Sequence, residues 1–130
     1  MPDYSAVSHL FALYAATQDE RDFKTLEHVF TDDCTFTVDI TGGPTVGPYE
    51  DRTSTIDFIE GAIRGQDDQR RHVITNVRFN GDTAYAILSL FVTKDGELAP
   101  QATGVYECQV VERGGEPRFK SMYLTLDRPY

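Results

Sequence analysis

The chain changes period part-way along, and that change restricts its fold more than any other feature. Up to residue 64, apart from one alternating stretch at 34–40, the apolar residues recur every three or four positions. From residue 70 to residue 127 they alternate with polar ones in four runs, 70–79, 83–93, 102–112 and 118–127. A period near 3.6 draws one stripe along a helix, and a period of 2 draws one face of a strand. Helices gathered in the first half, with one strand among them, and a run of strands after them point to an α+β fold with the helices on one side of a sheet.

The turns between the runs are NGD at 80–82, KDGE at 94–97 and RGGEP at 113–117. The first and third read as tight hairpins, because Gly reaches positive φ at no steric cost. The result is an antiparallel meander of four. Its second run, TAYAILSLFVT, is apolar on both faces. Such a run belongs mid-sheet, with something covering each side.

In the first half, Val7, Leu10, Phe11, Tyr14 and Ala15 trace one stripe and predict a helix over residues 5–19, capped by Asp3 or Ser5. The QDERD cluster interrupts it. Phe23, Leu26, Val29 and Phe30 predict a second, short helix, which ends at TDD, 31–33. CTFTVDI, 34–40, alternates as a strand. TGGPTVGPYED, 41–51, holds three Gly and two Pro and is expected to be irregular, a candidate lid or pocket rim. A third helix is predicted over 54–64, with Thr53 or Ser54 as cap and Ile56, Ile59 and Ile63 buried.

Within RRHVITNVRF, 70–79, simple alternation puts His72, Ile74, Asn76 and Arg78 on one face and Val73, Thr75, Val77 and Phe79 on the other. The second is an ordinary apolar face. The first is either a solvated edge or a wall looking into a cavity.

The chain of 130 residues is expected to form one domain, residues 1–130, large enough for a core and an internal pocket. A formal charge of −9 argues against sequence-independent binding to nucleic acid or an anionic membrane, since both require a cationic surface. No apolar run approaches the ~18 residues of a membrane span. The start, MPDYSAVSHL, lacks the basic-then-apolar order of a secretory signal. Cys34 and Cys108 sit in no metal-ligand spacing and read as buried free thiols of a cytoplasmic protein. No phosphate loop, nucleophile elbow or metal cluster is present in the string, so no cofactor or metal is expected.

The element order resembles the nuclear transport factor 2-like superfamily. The strings YAATQDERDFKTLEHVFTDDCTF (14–36), RRHVITNVRFNGDTAYA (70–86) and GVYECQVVERGGEPRFKSMYL (104–124) resemble its SnoaL-like and scytalone dehydratase-like branch. The resemblance implies a cone-shaped, mixed but mostly antiparallel curved sheet wrapped over three N-terminal helices, with a ligand cavity at its mouth. It also implies a pairing of Asp19, at the end of the first helix, with His72, on the first long strand of the meander. There the carboxylate orients the imidazole, which moves a proton on the substrate. The likeness is incomplete. Gln18 stands where the dehydratases carry a pocket Tyr, and the other histidines, His9 and His28, match no second pocket histidine.

His72 and Asp19 are thus the candidate catalytic pair. An imidazole accepts and returns protons near neutral pH without special tuning. An acid in the last turn opposes the helix dipole, which weakens a purely structural reason for Asp19. Glu20 and Asp22 are neighbouring acids open to the same role. Further pocket candidates are Tyr14, Asn76, Asp39 and Glu107. Tyr14 belongs to the core stripe but carries a hydroxyl. Asn76 lies ~13 Å along the strand from His72, at ~3.3 Å per residue, and either lines the deeper cavity or satisfies backbone groups. Asp39 and Glu107 are solvated by default; inward-facing, either is a second acid or an anchor.

Two functions fit. One is a cofactor-independent isomerase, dehydratase or polyketide cyclase acting on a small apolar carbonyl compound. The other is a non-catalytic ligand-binding or dimerisation module. Either way the sheet face not covered by helices calls for a partner, and a homodimer through that face is expected.

Overall fold

The computed structural model describes residues 2–129. Its elements run α1 (Tyr4–Asp19), α2 (Phe23–Leu26), a 3-10 turn (Glu27–Val29), β1 (Phe30–Ile40), β2 (Thr45–Tyr49), α3 (Arg52–Arg64), β3 (Gln69–Asn80), β4 (Thr83–Lys94), β5 (Glu97–Arg113) and β6 (Glu116–Leu126). The strands form one six-stranded sheet in the order β2-β1-β6-β5-β4-β3. Only β1 and β6 are parallel; every other neighbouring pair is antiparallel. The architecture is the expected α+β roll, a curled open sheet closing over helices. Among the described residues, no helix is long and apolar enough to cross a membrane.

α1 starts where Asp3 accepts the Ala6 N–H at 2.9 Å. Its predicted stripe is the buried one: Val7, Leu10, Phe11 and Tyr14 are all at most 3 % exposed. The Phe11 ring lies 5.0 Å from Phe119, and Tyr14 meets Phe30, Phe119 and Tyr106 edge-on at about 6 Å. The helix ends in a paired motif, Asp22 N–H to Thr17 O and Arg21 N–H to Gln18 O. Such an ending needs a left-handed residue at its turn, a place glycine usually takes. Here Arg21 takes it, at φ 59°. The chain reverses sharply there and leaves Asp19 as the last helical residue.

Several boundaries differ from the sequence reading, each for a physical reason. Phe30 opens β1 instead of closing a helix, and Thr31, Asp32 and Asp33 lie inside the strand. The β1–β6 register shifts between Phe30 and Thr35, so this polar stretch bulges from the ladder, and its two carboxylates reach Arg52, Arg113 and Lys120. The stretch 41–51 is not wholly irregular. Thr45–Tyr49 pairs with β1 as an edge strand, a place that tolerates Pro48 because one edge of the strand needs no donor. α3 is capped by Asp51, which accepts from the Ser54 N–H at 2.7 Å, and not by Thr53 or Ser54. All three meander turns are two-residue hairpins, including Asp95-Gly96 at φ 52° and 80°, the double positive φ of a type I′ turn.

β4 is an inner strand, as expected, between β5 and the edge strand β3, but it is covered on one side only. Ala84, Ala86, Leu88 and Leu90 are buried against the helices, while on the outer face Ile87 is 41 % exposed beside Val105 at 40 %.

Candidate active site

β3 does not keep its alternation. Its register with β4 slips by one residue between Thr75 and Arg78, and Asn76 sits there at φ 57°. A bulge of this kind adds a residue and swaps the faces beyond it. His72 and Ile74 point inward before it. After it Val77 packs against the core and Phe79 turns toward α1, its ring 5.9 Å from Tyr4. The inner face is therefore apolar apart from its first residues, Arg70 and His72. Asn76 is exposed and lines no part of the cavity; its amide side chain is one of the few that tolerate left-handed backbone.

A cavity of about 190 Å³ opens at that polar end. α3 gives it Phe58, Ile59 and Ile63, β1 gives Phe36, Val38 and Ile40, and β4 gives Leu88 and Leu90. Its polar groups are Gln18, Gln66, Arg70, His72 and the tyrosines Tyr14 and Tyr106. Val46, from the rim strand β2, also lines it. The predicted rim role of 41–51 thus falls to one side chain of an ordered strand.

Asp19 and His72 meet at this end. The Asp19 Oδ1 lies 2.6 Å from His72 Nδ1, and the His72 backbone N–H donates to Oδ2 at 3.0 Å and Oδ1 at 3.2 Å. Both side chains are nearly buried, at 8 % and 13 % exposure. A carboxylate only accepts, so Nδ1 carries the proton, and in the neutral imidazole Nε2 is the bare nitrogen. One acid thus fixes both the backbone and the tautomer of the residue opposite. α1 is further tied to β3 by Gln69, whose side-chain amide donates to Asp19 O at 3.1 Å. Arg21 donates to the carbonyls of Gln66 and Asp68 at 2.9 and 3.2 Å, on the segment leading into β3.

Arg70 is a site residue that the motif-based reading passed over. It lines the cavity two positions before His72, about 6.6 Å along the same strand face. Asp68 holds it, accepting from Nε at 3.0 Å, and these side chains are 21 % and 11 % exposed. Nη2 also donates to Asp68, at 3.5 Å, so Nη1 is the guanidinium nitrogen left outside that clamp. Parity alone pointed here, since residues 70, 72 and 74 share a face.

Tyr14 lines the cavity. Asp39 and Glu107 do not. Each alternates with inward neighbours, Val38 and Ile40 in one case and Tyr106 and Cys108 in the other, and so faces outward. On that face Tyr123 donates to Asp39 at 3.1 Å and Tyr85 to Glu107 at 3.4 Å. The bond to Asp39 is the main reason the Tyr123 phenol is raised above its ordinary value. Glu20 and Asp22 are exposed, and Asp22 caps α2 by accepting from the Thr25 N–H at 3.1 Å. Burial raises both thiols, Cys108 the more strongly.

Against known proteins, the family model described as a SnoaL-like domain matches residues 1–123. The chain belongs to the SnoaL-like family. Solved structures carry the same fold. ActVI-ORFA from Streptomyces coelicolor is 21 % identical, with a TM-score of 0.81 and all of both chains covered. A Catenulispora acidiphila protein in complex with S-DNPA is 19 % identical, with a TM-score of 0.81 and 95 % and 92 % of the two chains covered. The beta subunit of a putative aromatic-ring-hydroxylating dioxygenase from Novosphingobium aromaticivorans is 24 % identical, with a TM-score of 0.77 and 97 % and 90 % covered. No curated protein matches. At these identities the SnoaL-like fold is common ground, and the chemistry of each member rests on its own cavity.

Proposed function

We propose that this SnoaL-like protein is a cofactor-independent enzyme that moves a proton next to a carbonyl group of a small, mostly apolar substrate. The observation that carries the proposal is the 2.6 Å contact between Asp19 and His72 Nδ1 at the polar end of an otherwise apolar cavity. Nε2 takes a proton from the carbon beside the carbonyl. The C–H electron pair forms the new C=C bond, and the carbonyl π pair moves onto oxygen. Asp19 stabilises the imidazolium that results, and the Arg70 donors stabilise the oxygen as it gains charge. Return of the proton to another carbon isomerises the substrate. Its delivery to a β-hydroxyl expels water. If the enolate carbon attacks a second carbonyl, the proton goes to the new alkoxide and a ring closes.

The cavity is below the usual 300–1,000 Å³ of drug-sized sites. It suits a one-ring or compact two-ring molecule whose oxygens gather at one end. The structural neighbour in complex with S-DNPA supports small-molecule binding in this fold.

The test is solvent deuterium exchange, followed by proton NMR, at the carbon beside the carbonyl in a panel of one- and two-ring ketones. The wild type should accelerate exchange saturably, and H72Q should lose about a hundred- to ten-thousand-fold. R70Q should lose rate while keeping its melting temperature. Saturable ligand binding with no exchange in the wild type would leave a binding module instead.

A second property rests on the outer sheet face. Val73, Ile87, Val105 and Tyr123 are each about 40 % exposed there, and we propose that a second copy of the chain covers them. The dioxygenase beta subunit shows that the fold serves within an assembly in another protein.

A further inference from the structure

We propose that the protein carries a second site, for a phosphoryl oxyanion, in the cleft between the start of β1 and the β5–β6 turn. This cleft of about 690 Å³ shares no lining residue with the His72 cavity. The two lie at opposite ends of β1. Cations reach the cleft from separate parts of the chain: Arg52 from the first turn of α3, Arg113 from the end of β5 and Arg118 from β6, with the His28 ring lining it from the 3-10 turn.

Pairing the charges leaves an excess of cation. Arg52 is matched by Asp32 at 3.1 Å and Lys120 by Asp33 at 2.9 Å. Arg113 approaches only the already paired Asp33, at 3.7 Å. Arg118 has no acid partner within ion-pair distance among the described residues, and its buried Nε–H has no acceptor there either. Two guanidinium groups therefore remain over, in a chain whose formal charge is −9. Asp33 is held down at about 2, chiefly by the hydrogen bond from Lys120 at 2.9 Å, so protonating it does not free Lys120 near neutral pH. The positive end of α3 adds to the field at Arg52. The acids Glu27, Asp57 and Glu60 line a neighbouring groove that has only Arg52 in common with the cleft. Guanidinium groups match phosphoryl oxygens in shape as well as charge.

The experiment titrates inorganic phosphate and phenyl phosphate into the ¹⁵N-labelled protein at constant ionic strength, with chloride as control. Saturable shifts confined to residues around Thr31, Arg113 and Gly114 are expected, unchanged in H72Q and about tenfold weaker in R118Q. Should R118Q fail to fold, R113Q carries the same expectation. Tighter binding of phenyl phosphate assigns the site to an organic phosphate; equal binding assigns it to the free ion. Absence of saturation, an equal response to chloride, or an unaltered response in the folded arginine variant overturns the proposal.

Discussion

Replacing Asp19 by Asn forces a choice that the native site avoids. The carboxylate satisfies two donors at once, the His72 backbone N–H through Oδ2 at 3.0 Å and the ring Nδ1 through Oδ1 at 2.6 Å. An amide has one oxygen. If that oxygen keeps the backbone N–H, the NH₂ faces Nδ1 and drives the ring proton to Nε2, the cavity side. If it keeps Nδ1–H, two N–H donors face each other in a nearly buried place. The first arrangement retains the backbone bond and should cost about 1 kcal/mol; the second leaves a donor unmet, at about 1–3 kcal/mol. The first should dominate. Asp19→Asn is then expected to melt only a few degrees lower, at roughly 3–5 °C per kcal/mol for a domain of this size. Its imidazole ¹⁵N spectrum should show the protonated nitrogen exchanged from Nδ1 to Nε2. Exchange activity should fall by about the same hundredfold or more as in H72Q, because the base is blocked and not removed. An imidazole spectrum identical to wild type would refute the reasoning, since Asp19 would then not determine the tautomer.

Other expectations are independent of the reaction. A Cβ on Gly104 would lie 2.5 Å from Thr125 O across the β5–β6 ladder; G104A should lose roughly 1–3 kcal/mol in urea unfolding, and an unshifted midpoint would contradict that contact. Cys34 and Cys108 are fully buried with thiols raised above their ordinary range, so a thiol reagent at pH 8 should react only after denaturant is added; prompt native labelling would count against this packing. Light scattering should give a dimer for the wild type and a monomer for I87K; a monomeric wild type would end the homodimer proposal. Asp33 has a folded value of about 2 against an ordinary 3.8, so its contribution is present above the ordinary value and fades as pH falls toward 2. In K120M its NMR titration should move up toward 3.8, and no movement would mean that Lys120 is not the cause.

The sequence made the stripes legible because they are set by burial. Val7 to Tyr14 and Ile56 to Ile63 bury what their spacing says, and Ala84 to Leu90 of β4 and Gly104 to Val110 of β5 bury every second residue. It concealed features decided by single backbone contacts. Asn76 looks like a pocket amide only if β3 is straight, and the bulge that exposes it depends on register with β4. β2 was hidden by Gly47 and Pro48, which an edge strand accepts and a central one does not. Asp39 and Glu107 sit on the correct strands but on the outer face, where tyrosine hydroxyls donate to them. Arg70 was within reach, since parity with His72 predicts it, but nothing in the string says that Asp68 turns back to hold its guanidinium. The meeting of Asp19 with His72 came from family likeness. The reason for it, a helix ending at Arg21 and tied to the head of β3, is visible only in three dimensions.

The most direct measurement is the position of a bound naphthol, whose phenolic oxygen imitates an enolate. Crystals of the complex should show that oxygen within about 3 Å of an Arg70 nitrogen, and the ring carbon beside it facing His72 Nε2 at contact distance. A naphthol seated with its oxygen away from Arg70 and His72, or one that leaves the cavity empty and binds elsewhere, would contradict the account.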